Sequence, residues 1–317
     1  DNVMRMDELP ARMVVIGGGV IAAEFSHVFS ALGTEVTQLN RSSRLLRGVD
    51  AEVVERFEEA ASKQWNIVKE ASLAEIRENA DGSVTVVAKR TSENGEELLE
   101  IPADAVLVAT GRRPNTDTLN AKNYFDVQDG GQLSVDKYQR VLYNGAPVPG
   151  VFALGDVSSR YQLKHVANHE ARVVQYNLSH PEDLRASDHR YVPAAVFSNP
   201  QIAVVGMTEE QARQAAEREG FEITVKAQNF GDTAYGWAME DQIGLCKLIA
   251  RKDNGELLGA HLVGEESSVL IQPLIQAMSF NQDARTLARG QYWIHPALTE
   301  VVENALLGLE FDEPAQA

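Results

Sequence analysis

The sequence predicts an α/β fold followed by an α+β segment, on the strength of three patterns. Residues 13–16 form a short apolar run and Gly17-Gly18-Gly19 breaks it. Residues 20–32 then carry helical periodicity up to Gly33, and residues 35–39 return as a strand. That order is a βαβ unit with a glycine-rich first turn. From about Tyr191 the order changes to strands with helices among and after them, the pattern of an antiparallel sheet with helices on one face. Between the two, residues 116–186 lack a repeated βαβ pattern and read as part of a larger domain completed elsewhere. The expected architecture is a Rossmann-type domain over residues 1–115, a partial domain over 116–186 and an α+β domain over 187–317.

Each element has a local reason. Asp50 can cap a helix running to about residue 64. Residues 83–90 and 97–101 flank Ser92-Glu93-Asn94-Gly95, a hairpin signal, and residues 104–109 read as a buried strand ending at Thr110-Gly111. In the middle stretch, residues 133–135 and 151–154 read as strands and 165–178 as a helix. In the last stretch, strands are expected at 194–197, 202–205, 222–228, 245–251 and 257–263, with Asp253-Asn254-Gly255 turning between the last two. Helices are expected at 208–219, 267–280 and 297–307. The last two carry Val269, Leu270, Pro273, Leu274, Ala277 and Met278, and Val301, Val302, Leu306 and Leu307. That is more apolar surface than one small sheet covers, so residues 191–317 are expected to form a two-fold dimer.

Composition narrows the function. The 317 residues allow two to three domains, and 44% apolar with 24% charged residues is ordinary for a soluble globular protein. A net charge of −17 argues against nucleic acid as the main partner, since the summed field repels phosphates. No apolar run is long enough to span a membrane, and no secretory signal opens the chain. The single cysteine, Cys246, excludes an intrachain disulfide and fits a cytoplasmic setting. It lies in an alternating stretch and reads as a small buried strand residue.

The chemistry begins at the glycine turn. Gly17-Gly18-Gly19-Val20-Ile21-Ala22 matches the G-x-G-x-x-G/A pattern between strand and helix. Gly17 permits the tight turn, Gly19 lets a pyrophosphate approach the backbone, and Ala22 allows close helix–strand packing; the helix start at Val20 offers free N–H groups. At the end of the second strand, where an NAD site usually places an acid, the chain has Asn40-Arg41, then Arg44 and Arg47. Guanidinium groups match a ribose 2′-phosphate by charge and fork geometry, so NADPH is expected over NADH. Near the end, His295 and Glu300 stand five apart. An imidazole titrating near neutrality can hold or deliver the proton of a thiolate, and the acid can fix its tautomer. By spacing alone the same residues also suit a plain helix start, with Pro296 and Glu300 in the first turn. His165 and His169 are four apart on one helix, but no third ligand accompanies them, and no metal is expected.

Three strings resemble a known family. Ala109-Thr110-Gly111-Arg112-Arg113-Pro114-Asn115, Val151-Phe152-Ala153-Leu154-Gly155-Asp156 and His295-Pro296-Ala297-Leu298-Thr299-Glu300 resemble the flavoprotein disulfide reductases, and the likeness runs through essentially the whole chain in order. The resemblance implies FAD and NADPH as cofactors and a small-molecule disulfide as substrate. It implies that Asp156 accepts from ribityl hydroxyls of FAD and that the helix start at Leu163, Lys164, His165 and Ala167 approaches the flavin. Gly111 would line the NADPH groove, Arg41 and Arg47 would hold the 2′-phosphate, and His295 with Glu300 would act in catalysis. The C-terminal domain would form a homodimer, placing His295 in the partner subunit's active site. Many relatives carry Leu-Thr-Pro-Val-Ala where this chain has Leu163-Lys164-His165-Val166-Ala167, which points to a subgroup. Such enzymes carry two glycine fingerprints and a redox cysteine pair, whereas this chain has one of each element's parts: one fingerprint and one cysteine. The expectation is therefore a C-terminal part of such a reductase, lacking its N-terminal flavin portion and inactive alone. Another low-molecular-weight disulfide reductase, a lipoamide dehydrogenase-like enzyme, or a dimeric NADPH-binding module without turnover are the alternatives.

Overall fold

The computed structural model describes residues 2–312 apart from 93–94. It divides into two compact units, Asp1–Thr110 with Pro193–Ala317, and Gly111–Val192.

In the first unit, β1 (Arg12–Ile16), α1 (Val20–Ala31), β2 (Glu35–Leu39), α2 (Ala51–Ala61) and β3 (Asn66–Val68) follow one another. An antiparallel sheet of β4 (Ala71–Glu78), β5 (Val84–Ser92) and β6 (Gly95–Ala103) precedes β7 (Ala105–Val108). The parallel sheet has the order β3-β2-β1-β7, which confirms the βαβ unit. Of the hairpin signal, Glu93 and Asn94 lie outside the described residues. β4 was not anticipated, because its residues are mostly exposed and its alternation is weak. β7 departs from expectation differently: it is the sheet's edge, half-buried, with Val108 exposed. Its apolar run reads as buried in sequence, but an edge strand has a neighbour on one side only.

The second unit contains β8 (Arg140–Tyr143), β9 (Ala146–Phe152) and α3 (Lys164–Ser179). β8 and β9 form a two-stranded sheet, and the stretch expected as a strand at 133–135 contributes only isolated bridges from Leu133 and Val135.

The chain then returns to the first unit with β10 (Ala194–Val196), β11 (Gln201–Gly206), α4 (Glu209–Glu219), β12 (Ile223–Asn229), α5 (Ala234–Ala238), β13 (Leu245–Arg251) and β14 (Leu257–Gly264). Four helices follow: α6 (Ser267–Leu270), α7 (Gln272–Ser279), α8 (Ala284–Leu287) and α9 (Glu300–Leu307). The five strands make an antiparallel sheet in the order β10-β11-β14-β13-β12. The helix expected over 267–280 is broken at Ile271, where Pro273 enters the first turn of α7 and supplies no N–H for a continuous helix.

The third segment does not stand as a body apart from the first. α2 packs on β13 and β14 as the segment's own α4, α7 and α9 do on the same sheet. One core cluster joins Val53, Val54 and Phe57 of α2 to Val196, Ile202, Leu245 and Val263. β14 is buried along its whole length and β13 up to Ala250. Most of the apolar surface that suggested a dimer is also consumed here. Leu270, Leu274, Ala277, Met278, Val301, Val302 and Leu306 are buried, leaving Val269 and Leu307 exposed. The larger exposed apolar side chains of this segment are Phe197, Trp237, Phe280, Tyr292 and Ile294, which helix periodicity did not reveal.

A buried ion cluster crosses the same junction. Lys247 Nζ, on β13, lies 2.9 Å from Asp50 Oδ1, 3.1 Å from Glu52 Oε2 and 2.7 Å from Glu209 Oε2. Burial works against the ammonium, but the hydrogen bonds to Glu209, Asp50 and Glu52 outweigh it and hold Lys247 above its ordinary range. Burial likewise opposes the Asp50 carboxylate, yet the Glu209 N–H and Lys247 keep it below its ordinary value. Beside Lys247 in the β13–β14 register stands His261, buried, its Nε2 2.7 Å from the Met207 carbonyl. Burial pushes this imidazole down, so it is neutral in the fold. Because the unfolded chain binds that proton first, stability is full above about pH 6.5 and falls as the pH drops below it, by about 1.4 kcal/mol per pH unit per proton. The acid side of a pH series of urea melts is expected to be shallower in His261→Asn; equal slopes would remove His261 as the source.

Candidate active site

The glycine turn is built by its neighbours. Gly17 has φ +145°, and a Cβ there would meet the Ala109 carbonyl oxygen at 2.4 Å, so only glycine fits. The turn is held by Gly17 N–H to Leu39 O at 2.9 Å and by buried Gln38, which donates to Gly17 O at 3.0 Å and accepts from Trp65 Nε1. A Cβ at Gly18 would meet Asn40 Oδ1 at 2.3 Å, whereas Gly19 faces open space. That space is what a pyrophosphate needs. Gly19 caps α1 without a side chain, and the first intrahelical bond runs from Ala23 N–H to Gly19 O. The N–H groups from Val20 to Ala22 are thus left at the helix mouth, where the dipole favours anions. Ala22 is fully buried, and a Cβ at Gly17 would lie 3.4 Å from its own, the close helix–turn packing that a small side chain permits.

The loop from residue 40 to 50 carries the arginines. Arg41 and Arg47 are exposed and form no ion pair among the described residues; Arg44 Nη2 turns back to the Arg47 carbonyl at 3.4 Å. Asn40, expected to touch the cofactor, does not face outward. It is buried, and its Nδ2 donates to the carbonyls of Ser42 at 2.8 Å and Arg44 at 3.1 Å. Its amide shapes the loop that presents the arginines. A polar side chain at a strand end carries no sequence signal that separates these two uses.

In the second unit, Gly155 opens a single 3-10 turn over Gly155–Val157 with φ +70°. Its N–H donates to Glu170 Oε2 at 2.6 Å, and a Cβ there would meet Ala167 Cβ at 3.2 Å. Ala167 is therefore small because α3 packs on this turn. Glu170 is wholly buried and its other oxygen lies 3.0 Å from His189 Nε2. Nothing in the sequence pattern marks this buried acid, which reads as one polar residue among several on the helix. Asp156 stays half-exposed, with Arg112 Nη2 3.7 Å from its Oδ2, so its carboxylate remains available to hydroxyl donors. α3 starts at Lys164 after Leu163 with no side-chain cap, and its first intrahelical bond joins Ala167 to Leu163. Gly111 has φ +140° and open space around its Cβ position.

His295 and Glu300 meet as the spacing suggested. His295 Nδ1 lies 2.7 Å from Glu300 Oε1, with Glu300 largely buried at the start of α9 and the ring two-thirds exposed. Glu300 Oε2 also accepts from Ala297 N–H at 3.4 Å. The acid thus orients the ring through Nδ1. Cys246 is buried on β13, and burial raises its thiol far above the ordinary range, so it is not a nucleophile. Among the described residues no group of three or more His, Cys, Asp or Glu side chains could hold a metal.

The family model for pyridine nucleotide-disulphide oxidoreductases matches residues 1–171, and the model for that family's dimerisation domain matches residues 192–306. The chain belongs to this family. Mycothione reductase of Mycobacterium tuberculosis is 54% identical over 314 residues, covering 98% of this chain and 64% of that protein. A dihydrolipoyl dehydrogenase of Synechocystis is 33% identical over 306 residues, covering 96% of this chain and 64% of that protein. Among solved structures, the Cu(II) complex of the HOCl-induced flavoprotein disulfide reductase RclA from Escherichia coli superposes with a TM-score of 0.83 at 26% identity, over 96% of this chain and 66% of that one. The chain spans about two thirds of the length of these relatives, 64% for the two curated enzymes.

Members of the pyridine nucleotide-disulphide oxidoreductase family use FAD and NAD(P)H. The residues present fit both groups. Open space at Gly19 and the uncapped start of α1 suit a dinucleotide pyrophosphate. The accessible Asp156 carboxylate and the uncapped start of α3 suit the flavin side. No helix of the described residues is long and apolar enough to cross a membrane.

Proposed function

We propose that this chain supplies the NADPH-binding, flavin-facing and proton-transferring parts of a cytoplasmic, homodimeric reductase that converts mycothione to mycothiol. The observation that carries the substrate is the 54% identity to mycothione reductase across 98% of the chain, against 33% to a dihydrolipoyl dehydrogenase. The reaction balances as NADPH, one proton and one disulfide giving NADP⁺ and two thiols. FAD would supply the passage of two electrons from the nicotinamide to a protein disulfide, which becomes the dithiol that reduces the substrate.

The chain's own residues bind and move protons. Gly17 and Gly19 let the pyrophosphate reach the start of α1 at Val20, close to Ala22, while Arg41 and Arg47 select the 2′-phosphate. Gly111 leaves the groove open. Asp156 and the α3 start, from Leu163 through Lys164 and His165 to Ala167, hold and orient the flavin. Breaking the substrate disulfide releases a thiolate, and His295 delivers a proton to it from Nε2. Glu300, 2.7 Å from Nδ1, stabilises the imidazolium from which that proton comes. Through the dimer, His295 serves the partner subunit's active site.

The 317 residues contain one cysteine, and it is buried, so the dithiol must come from outside them. That observation favours a second reading for these residues alone, a dimeric NADPH-binding module without turnover. The 317-residue chain by itself is expected to bind NADPH but to show no disulfide-dependent loss of NADPH absorbance. Oxidation of NADPH that depends on added disulfide would overturn the requirement for an external dithiol.

A further inference from the structure

The chemistry above leaves one buried charge without a role. Lys247 is 5% exposed, has three N–H donors, and spends them on the three carboxylates of Asp50, Glu52 and Glu209. Arg213 adds a second cation to Glu209 on the outer side. Asp50 is the member that matters for the cofactor, because it closes the loop that carries Arg41 and Arg47.

That loop is fastened on either side of Arg47. Its middle is held by the first segment: Leu45 N–H donates to Glu58 Oε1 at 2.7 Å, and Leu46 N–H to the Gly18 carbonyl at 2.7 Å. Its far end is held by the C-terminal segment. Asp50 Oδ2 accepts from Glu209 N–H at 3.0 Å, and Oδ1 accepts from Lys247 Nζ while also capping α2 through Glu52 N–H at 3.2 Å. Arg47 lies between these two fastenings, and Val49 N–H to Leu46 O closes the short turn that contains it. Without the ammonium, three carboxylates would face one another around a buried centre. Their repulsion would be relieved by moving Asp50, and Asp50 would take the Arg47 turn with it.

We infer that Lys247 is a positioning residue for cofactor selection: by fastening Asp50 to the C-terminal sheet, it holds Arg47 where a ribose 2′-phosphate is recognised. This rests on the reading of Arg41 and Arg47 as the 2′-phosphate site. The pyrophosphate end is fastened separately through Gly17 and Gln38, so NADH, which lacks the extra phosphate, is insensitive to the latch.

The test titrates the 317-residue chain with NADPH and with NADH, reading intrinsic tryptophan fluorescence. In Lys247→Met the preference for NADPH is expected to fall by about tenfold, the loss of one charge-assisted contact, with NADH affinity unchanged. Lys247→Arg is expected to restore most of the preference. Asp50→Asn keeps a good helix cap and leaves Lys247 paired with two acids, so it serves as the second variant should Lys247→Met fail to fold; it is expected to lower the preference in the same direction by a smaller factor. Equal weakening of both nucleotides in the folded variant, or an unchanged ratio, overturns the inference, and where Lys247→Met does not fold the Asp50→Asn ratio decides. Arg41→Ala with Arg47→Ala is titrated alongside. If that pair leaves the ratio unchanged, the 2′-phosphate reading and the latch both fall. If the pair changes the ratio and the latch variants do not, the latch alone falls.

Discussion

Replacing His295 by Ala, in an enzyme that joins these residues to the flavin and the dithiol, is expected to lower turnover with the disulfide by on the order of 10²–10⁴ while leaving flavin reduction by NADPH intact. The size follows from what is removed. Nε2 belongs to a ring that is two-thirds exposed and whose Nδ1 is fixed 2.7 Å from a largely buried acid. In this reading Nε2 hands its proton to the thiolate that leaves the disulfide. The hydride step needs no such proton, so the two half-reactions separate. Glu300→Gln can still accept from Nδ1–H but no longer stabilises the imidazolium, so its effect is expected in the same half-reaction and to be smaller. Stopped-flow measurement of the two half-reactions checks both variants. Equal loss in the two would take His295 out of proton transfer.

The second large effect concerns the nucleotide. Arg41 and Arg47 are exposed and unpaired among the described residues, so nothing in the fold competes with a 2′-phosphate for them. Neutralising both is expected to shift the NADPH-to-NADH preference by on the order of 10²-fold, since two charge-assisted contacts of about 1.5–3 kcal/mol are lost and solvent screening discounts each. NADH affinity should change little, because the pyrophosphate site at Gly19 and the start of α1 is untouched. A double variant that discriminates as the parent does would place the phosphate elsewhere.

The parts legible in the sequence are those where local chemistry and long-range structure demand the same residue. Gly17 is needed for its φ and for the approach of the Ala109 carbonyl, and a glycine-rich break after an apolar strand announces both. Asp50 reads as a helix cap because capping is local, and it is one. What the sequence concealed is its second use, since Lys247 lies almost two hundred residues away inside a strand that is otherwise apolar up to Arg251 at its end. Asn40 shows the converse: a polar residue at the right place was expected to meet a ligand, but it turns inward to hold two carbonyls. The packing of the third segment on the first was hidden for a related reason. Its strands carry apolar residues on more surface than its own helices cover, and α2, from the far end of the chain, takes up part of that surface. Periodicity reports that a face is buried but not what buries it.

The central question is which disulfide accepts the electrons of NADPH. The most direct measurement is kcat/KM of the flavin- and dithiol-containing enzyme, with NADPH as donor, for mycothione, glutathione disulfide and lipoamide side by side. Mycothione is expected to give the highest value, with NADH the poorer donor. Highest kcat/KM with lipoamide, or equal use of NADH, would contradict it.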